Sequence, residues 1–316
     1  MSMLDRVTGR TSPNGNGAAP LEGVLTDLSQ LRRRTPWETV QLARNVKRPH
    51  ALDVINRVFT NFQELHGDRQ FRDDPAIVAG IGLLDGKPVA VIGQQKGSTT
   101  EENIERNFGM AHPEGYRKAL RVMQLAEKFG LPIVTLVDTS GAYPGPEAEE
   151  RGQHEAIARN VLEMTRLRAP IVVIILGEGG SGGALALAIG DVVIALENAI
   201  YSVISPEGAA AILWRTNAEA ERAATALKLT SFDLLQLGVI DGIIAEPPDG
   251  AQADHEETAK RIAEGIRAQL ERLTRVPIDD LLALRYERFR KIGVHQEPEG
   301  AATPPKRPWW RRALGR

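Results

Sequence analysis

GEGGSGGA (residues 177–184) follows the apolar run PIVVIIL (170–176) and precedes a run rich in alanine and leucine. A second glycine loop, DTSGAYPG (138–145), follows the β-branched run IVTLV (133–137). Each pattern predicts a buried strand, then a glycine loop, then a helix. Because ligands of parallel α/β sheets bind beyond the carboxyl ends of the strands, both loops are candidates for a binding site.

The rest of the chain alternates between strand and helix patterns, which predicts an α/β fold with parallel strands. Residues 76–84 and 88–93 read as strands flanking Asp85-Gly86, a dipeptide that favours tight hairpins. Further strands are predicted at residues 192–195 and 239–244. Helices are predicted at residues 21–33, 52–65, 116–129, 147–167, 184–189, 218–227, 232–237, 255–273 and 281–291.

The amino-acid composition disfavours several classes of protein. Of the 316 residues, 42% are hydrophobic, and 39 basic against 41 acidic residues leave a formal charge of −2, which disfavours nucleic-acid binding. The absence of cysteine excludes disulfides and Cys-ligated zinc and fits a reducing compartment. The six histidines lack zinc-protease spacing, and we expect no metal in this chain. With no apolar signal-peptide core at the N-terminus and charges and glycines interrupting residues 170–196, we expect a cytoplasmic protein without a membrane span.

The glycine loops suit an anion, since glycine lets backbone amides face a ligand and a helix N-terminus adds partial positive charge. Tight turns and close packing explain the same glycines without any ligand. Loop 177–184 lacks the GK[ST] ending of a P-loop, and its G-x-G-x-x-G stretch lies far from the first strand, so a nucleotide site is weakly supported. Ser181 also lies in a G-x-S-x-G pattern typical of a hydrolase nucleophile, with His255 and His295 as the downstream histidines.

Several stretches together resemble the carboxyltransferase alpha subunits of multi-subunit acetyl-CoA carboxylases. They are TPWETVQLARN (35–45), ELHGDRQFRDDPAIVAGI (64–81), NFGMAHPEGYRKALRVMQLAEKFGLPIVTLVDTSGAYPG (107–145), AEERGQHEAIARN (148–160), GEGGSGGALALAIGD (177–191), YSVISPEGAAAILW (201–214), LKLTSFDLLQLGVIDGIIAEP (227–247) and RYERFRKIG (285–293). The resemblance covers about residues 35–293. The chain departs from the family's usual residues at Gln94 (histidine), Ser140 (proline) and Ala209 (cysteine).

The resemblance implies a crotonase-like fold of ββα superhelical units. It also implies transfer of carboxylate from N1-carboxybiotin to acetyl-CoA, giving malonyl-CoA in the first committed step of fatty acid biosynthesis. The implied partners are a carboxyltransferase beta subunit in an α2β2 assembly, the biotin carboxyl carrier protein and biotin carboxylase. Biotin would be carried by a partner, and zinc would belong to the beta subunit.

On this resemblance, the backbone N–H groups of Gly182 and Gly183 are expected to form an oxyanion hole, a kind of site that contributes about 100- to 1,000-fold per donor. Further residues are expected to line the cavity for carboxybiotin and CoA: Gly141, Ala142, Tyr143, Gly179, Gly180, Ser181 and Tyr201. Lys96 is either a solvated lysine or a contact for a phosphate or carboxylate.

Three rival functions stay open at this point. A hydratase-like acyl-CoA enzyme would use in-chain carboxylates such as Glu178 and Glu207. A hydrolase would use Ser181, and a non-catalytic scaffold or RNA-binding subunit would use the basic stretch KRPWWRR (306–312). For the domains we expect a flexible segment at residues 1–34, a carboxyltransferase domain at 35–295 and a disordered basic tail at 296–316.

Overall fold

The computed structural model describes residues 21–293. Within them, eight strands form one sheet in the order β1-β2-β3-β4-β5-β6-β8, and β7 pairs with β5. The strands are β1 (Thr60–Glu64), β2 (Ile77–Leu84), β3 (Lys87–Gln94), β4 (Ile133–Thr139), β5 (Ile171–Gly180), β6 (Val192–Leu196), β7 (Ile200–Ser202) and β8 (Gly242–Ile244). The pairs β1–β2 and β2–β3 are antiparallel, and the remaining pairs are parallel.

Twelve α-helices lie in the same part of the chain. They are α1 (Pro36–Ala43), α2 (Ala51–Val58), α3 (Thr100–Glu105), α4 (Pro113–Lys128), α5 (Pro146–Glu150), α6 (Gln153–Arg166), α7 (Ser181–Leu185), α8 (Pro206–Trp214), α9 (Ala220–Leu227), α10 (Ser231–Gln236), α11 (His255–Leu273) and α12 (Ile278–Arg290). Every residue of β4, and all of β5 except its last, is buried, as expected for parallel strands covered on both faces.

The β2–β3 hairpin forms where the sequence predicts it. Asp85 (φ 50°) and Gly86 (φ 78°) both lie in the left-handed region, as a two-residue type I′ turn requires. The turn sets the register of β3, whose last residue, Gln94, pairs with Ile77. The carboxyl end of β3 therefore lies beside that of β4, where the first glycine loop begins.

One predicted helix is wrong, and another is correct only in its first half. Residues 21–33 form only a short 3-10 turn at Leu28–Gln30, because the backbone of Leu25 pairs instead with Ile243 of β8. Residues 52–65 divide into α2 and β1, since the extended backbone of Phe59 ends the helix and β1 pairs with β2. The apolar residues of this stretch fit a helix face and an amphipathic strand equally well.

The structure also corrects boundaries near the glycine loops. The helix predicted at residues 147–167 is two helices, α5 and α6, separated at Gly152, whose φ of 83° is left-handed. The residues predicted as a loop, 177–183, are divided instead between a strand and a helix. β5 continues to Gly180 through its pairing with β7, and α7 spans Ser181–Leu185 instead of the predicted residues 184–189. Helices α1, α3 and α8 were not predicted. Residues 1–20 and 294–316, including KRPWWRR, lie outside the described residues.

Candidate active site

The two glycine loops lie against each other at the carboxyl ends of β4 and β5, where Thr139 pairs with Gly179. A Cβ atom added at Gly180 would lie 2.1 Å from the carbonyl oxygen of Ser140. One added at Gly183 would lie 2.4 Å from the carbonyl carbon of Gly141. Glycine is required at both positions because the two backbones touch there.

Gln94, at the end of β3, joins the two loops. Its side chain is fully buried, its Nε2 donates to the carbonyl oxygen of Gly183 at 2.8 Å, and its Oε1 accepts from the backbone N–H of Asp138 at 3.2 Å. One amide side chain thus connects the start of the first loop to the glycine pair of the second. This position is one of the departures from the related family, and its role is to hold the loops in register.

A charged cluster lies at the base of the loops; we call it the loop-base cluster, and its members are Arg44, His50, Lys96, Asp138 and Glu178. The Lys96 Nζ lies 2.8 Å from Glu178 Oε2 and 3.0 Å from Asp138 Oδ1. Arg44 Nε lies 2.7 Å from Glu178 Oε1, and His50 Nδ1 lies 3.0 Å from Asp138 Oδ2. Lys96 is therefore a largely buried, ion-paired residue and not a solvated lysine.

The cluster keeps its carboxylates ionised. Burial opposes the charge of Asp138, but Lys96 and the hydrogen bond from His50 outweigh it and hold the pKa of that carboxyl below its usual range. Burial likewise opposes the charge of Glu178, and Lys96 and Arg44 together lower its pKa. The same two carboxylates raise the pKa of Lys96 despite its burial. The cluster is thus a fixed set of charges that anchors both loops.

A cavity of about 910 Å³ opens beside the glycine pair. Ala142 and Tyr143 of the first loop, and Ser181, Gly182 and Gly183 of the second, line it together with one face of α6. A Cβ atom at Gly182 would meet only Ile157 Cγ2, at 3.7 Å, so this glycine has free space on its cavity side. Because Gly182 and Gly183 lie in the first turn of α7, their N–H groups have no acceptor within their own helix.

A second, mostly apolar cavity of about 360 Å³ lies on the other side of α7. It shares Ser181, Gly182 and Leu185 with the first cavity and is lined further by Tyr201, whose pKa burial raises to about 12. The expected site residues therefore divide between two cavities. Tyr201 does not line the larger cavity with Tyr143.

Three of the expected site glycines line neither cavity. The N–H of Gly141 donates to Thr139 Oγ1 at 3.1 Å, which closes the first loop. Gly179 lies within β5, where a Cβ atom would come 2.8 Å from the Tyr201 ring. Gly180 contacts the backbone of Ser140, as described above. Of the three, Gly180 lets two backbones approach and Gly179 leaves room for the Tyr201 ring, whereas a Cβ atom at Gly141 would meet no atom within 4 Å.

Ser181 has the backbone of a nucleophile elbow, with a φ of 54° between strand and helix. A hydrolase also requires a histidine hydrogen-bonded to the serine, and the described residues contain no such bond from Ser181. The Nε2 of His255 instead contacts the carbonyl oxygen of Lys47 at 2.8 Å, and His295 lies outside the described part of the chain. The elbow here serves to turn the chain into α7.

The two carboxylates of the hydratase hypothesis are both held by cations. Glu178 is paired through both oxygens with Arg44 and Lys96. Glu207 accepts from Arg44 Nη1 at 2.7 Å and from Nη2 at 3.2 Å, and the hydrogen bond from Arg44 lowers its pKa. A general acid must carry a proton near neutral pH, so these ion pairs disfavour that role for either residue.

Sequence reasoning missed Arg44, His50 and Gln94. The sequence did give an indication for Gln94 and Lys96. Both come within three residues of the end of the strand predicted at residues 88–93, and the carboxyl end of that strand lies at the edge of the sheet where the site is. Arg44 and His50 reach the loops from α1 and the start of α2, and no local pattern indicated that. Across residues 21–293, no group of three or more His, Cys, Asp or Glu side chains could hold a metal ion, and no helix is long and apolar enough to cross a membrane.

A family model for "Acetyl co-enzyme A carboxylase carboxyltransferase-like" proteins matches residues 25–293. The alpha subunit of the acetyl-CoA carboxylase carboxyl transferase of Geobacter sulfurreducens is 59% identical over 256 residues, which are 81% of this chain and 80% of that protein. The chain belongs to this alpha-subunit family. An alpha subunit from Thermus thermophilus is 55% identical over 276 residues, covering 86% of this chain and 88% of that one. The chain is accordingly a carboxyltransferase subunit of the alpha type, with a beta subunit as its implied partner.

Solved structures confirm the crotonase-like fold class. A transcarboxylase 12S structure matches with a TM-score of 0.56 at 17% identity, covering 89% of this chain and 48% of that one. A Pseudomonas malonate decarboxylase hetero-tetramer in complex with coenzyme A matches with a TM-score of 0.56 at 20% identity, covering 67% of this chain and 85% of that chain. At identities of 17% and 20%, these matches show that the fold is shared and nothing more.

Proposed function

We propose that the chain provides one half of a carboxyltransferase site that moves carboxylate from carboxybiotin to acetyl-CoA, giving malonyl-CoA. The observation that carries the proposal is the larger cavity, where the first-turn amides of α7 border an open space at Gly182. The type of reaction is inferred from the family to which the chain belongs. The beta subunit would complete the site in an α2β2 assembly and would carry the zinc.

The chain's own residues fit a biotin ring and the charge that develops on its oxygen. Ala142, Tyr143 and Ile157 give the cavity an apolar wall, and the N–H groups of Gly182 and Gly183 are donors at the positive end of a short helix. Carboxybiotin, on the biotin carboxyl carrier protein charged by biotin carboxylase, would supply the carboxylate and then a basic ureido nitrogen. The chain itself needs no nucleophile or acid–base carboxylate on this proposal.

On this proposal the side chains described next hold the two loops and the backbone amides in place, and they form no covalent bond with the substrate. Gln94 holds the carbonyl of Gly183, which fixes the direction of the neighbouring amides. The loop-base cluster holds Asp138 and Glu178, one at each loop, and so keeps both loops at the edge of the sheet. Of the other proposed site residues, Ser181 lines both cavities, Tyr201 lines the smaller one, and Gly141, Gly179 and Gly180 support the loops. We also propose a cytoplasmic location, with which the absence of cysteine agrees.

The test is malonyl-CoA-dependent carboxylation of biotin, the reverse reaction, by this chain mixed with its beta subunit, with each chain alone as control. We expect activity only in the mixture. Gly182→Val should lower it by about a hundredfold or more, because the added methyls enter the cavity beside the amides. Ala283→Val, an exposed position on α12, is the matched control. Full turnover by the single chain, or an unaffected Gly182→Val complex, contradicts the proposal.

A further inference from the structure

Tyr143 lies in the first glycine loop and lines the larger cavity together with the glycine pair. Its backbone is joined to the segment before α4, because its N–H donates to the carbonyl oxygen of Ala111 at 3.1 Å. Gln153, the first residue of α6, connects the same two segments. Its Nε2 donates to the carbonyl oxygen of Ala111 at 2.9 Å and to that of Tyr143 at 3.0 Å. The backbone that carries the Tyr143 ring is therefore held by two other parts of the chain.

The side chain of Tyr143 is held as well. A Cβ atom added at Gly145 would overlap with Tyr143 Cε1, so the ring lies directly against the backbone of Gly145. At the tip of the side chain, a hydrogen bond with the Glu147 carboxylate raises the pKa of the Tyr143 hydroxyl group. These contacts fix two points of the ring, and a third contact is needed to fix its tilt.

His112 supplies the third contact. The centroid of its ring lies 4.1 Å from that of Tyr143, with an angle of 38° between the two planes, so the rings touch. His112 is only 6% exposed, and its backbone N–H donates to Oδ2 of the buried Asp74 at 2.7 Å. The imidazole ring is therefore mounted on a buried and hydrogen-bonded backbone at the start of α4.

The charge state of His112 suits this contact. Arg151 Nη2 lies 3.4 Å from His112 Nδ1, and because a guanidinium can only donate, Nδ1 is the acceptor and the ring is neutral. Burial lowers the pKa of His112, and Arg72 and Arg151 lower it further against the opposing charge of Glu114. A neutral ring can pack on an aromatic neighbour without the cost of burying a charge.

We propose that His112 is a positioning residue, which sets the tilt of the Tyr143 ring and thereby the place of the cavity wall against which the biotin ring system lies. This role rests on the proposed function. His112 is not among the site residues expected from the sequence, and it does not line the larger cavity itself. Because it reaches the substrate only through Tyr143, its effect on the reaction should depend on that tyrosine.

Fluorine NMR of the chain labelled with 3-fluorotyrosine tests the contact without any activity, both for the chain alone and in its complex with the unlabelled beta subunit. The chain has four tyrosines, and Tyr143→Phe identifies the signal of residue 143. We expect His112→Ala to shift and narrow this signal, because a ring without its support moves faster. His66→Ala removes an exposed histidine and should leave the signal unchanged. A Tyr143 signal that is the same in His112→Ala as in the parent chain overturns the proposal.

The effect on the reaction is measured in the assembled enzyme, by carboxylation of biotin with biotin and malonyl-CoA varied separately. We expect His112→Ala to raise the KM for biotin about two- to tenfold, as the loss of one aromatic contact does, and to leave the KM for malonyl-CoA unchanged. His112→Phe keeps a flat ring beside Tyr143 and should bring the KM for biotin back towards that of the parent. A loss of folded protein would lower the rate without this selectivity between the two substrates.

A double-mutant cycle with Tyr143→Ala separates positioning through the tyrosine from any other role of His112. In the Tyr143→Ala background, His112→Ala should cause no further rise in the KM for biotin, because the two residues act as one unit. Additive effects of the two substitutions, or an unchanged KM for biotin in His112→Ala, overturn the proposal. A parent complex that carboxylates no biotin contradicts the proposed function instead, and the fluorine signal of Tyr143 then decides whether His112 holds the ring.

Discussion

At the residue scale, Gln94 shows how one neutral side chain positions the backbone of the proposed oxyanion site. It donates to Gly183 and accepts from Asp138, contacts that cross 89 and 44 residues of chain. Gln94→Leu should therefore leave the fold intact but free the glycine pair. We expect kcat of the assembled enzyme to fall roughly 10- to 100-fold, the range of mispositioned catalytic groups, with little change in KM for malonyl-CoA.

Gln94→His is the informative companion to that variant, since the related family usually has histidine there. A histidine ring can also donate from one nitrogen and accept at the other. We expect this variant to keep most of the activity but to lose it in acid, because a protonated ring cannot accept from the N–H of Asp138. A pH profile of Gln94→His identical in shape to that of the parent chain would argue against the bridging role.

Gly182 and Gly183 should differ in how well they tolerate substitution by alanine. Gly182→Ala should fold normally, since the nearest atom to its new methyl would be 3.7 Å away. Gly183→Ala places a methyl 2.4 Å from backbone carbon and should cost about 1–3 kcal/mol of unfolding free energy. Chemical denaturation of both variants measures the difference. Equal stability of the two would contradict the close approach of the loops.

At the element scale, the C-terminal helix α12 is joined to the sheet by a buried arginine. Arg285 makes two 2.8 Å contacts with Asp191, just before β6, and its Nη1 and Nη2 also donate to the carbonyl oxygens of Met164, Leu167 and Ala169. Arg285→Met leaves Asp191 buried without its cation. We expect a loss of about 3–5 kcal/mol in unfolding free energy.

Arg290→Met is the control for that change. It is the same substitution on the same helix, at an exposed position. Thermal and urea unfolding of the two variants should differ clearly, and a loss shared by both would show that helix propensity or net charge is responsible.

The loop-base cluster predicts how stability depends on pH. The lowered pKa values of Asp138 and Glu178 stabilise the fold at pH values above their unfolded-state pKa of about 4, and this stability is lost as pH falls below it. Lys96→Met removes the main cation, so the folded-state pKa values of both carboxyls should rise toward the unfolded-state value. We therefore expect lower stability at pH 7 and a smaller further loss of stability as the pH falls to 3. Lys87→Met, at the exposed start of β3, is the control; Lys96 lies two residues beyond the end of that strand. Unfolding scans from pH 3 to 7 that superimpose for both variants would contradict this account.

The sequence predicted correctly those helices and turns that are determined by their own residues and not by contacts with distant parts of the chain. The Asp85-Gly86 hairpin and α11, observed at the predicted residues 255–273, are such cases. Helix α8 begins with the capping pair Ser205-Pro206, yet its apolar Ile212 and Leu213 face solvent, so its pattern does not match a core-facing helix. The division of residues 52–65 depends on pairing with β2, and the contacts of Gln94 and Arg44 depend on the assembled sheet. Such long-range contacts leave no local pattern.

At the scale of the whole molecule, the surface beside the smaller cavity is incomplete. Val203 on the cavity rim is 76% exposed, and Ile212 and Leu213 on α8 are 73% and 64% exposed. Ile212 and Leu213 are consecutive on α8, and exposed apolar side chains of this size mark an interaction surface. On the proposal that the implied beta subunit completes the active site, we expect it to bury this surface on assembly.

Ile212→Asp therefore tests the assembly without touching either cavity. The charged side chain should leave the Tm of the free chain unchanged, because position 212 is already in water, and should weaken association with the beta subunit at least tenfold, since an unpaired charge is costly in an interface. Activity should then fall at low protein concentration and recover as concentration rises. Phe129→Asp, at another exposed apolar position, should change neither. Equal beta-subunit affinity of Ile212→Asp and the parent chain, measured by sedimentation, would place the interface elsewhere on the molecule.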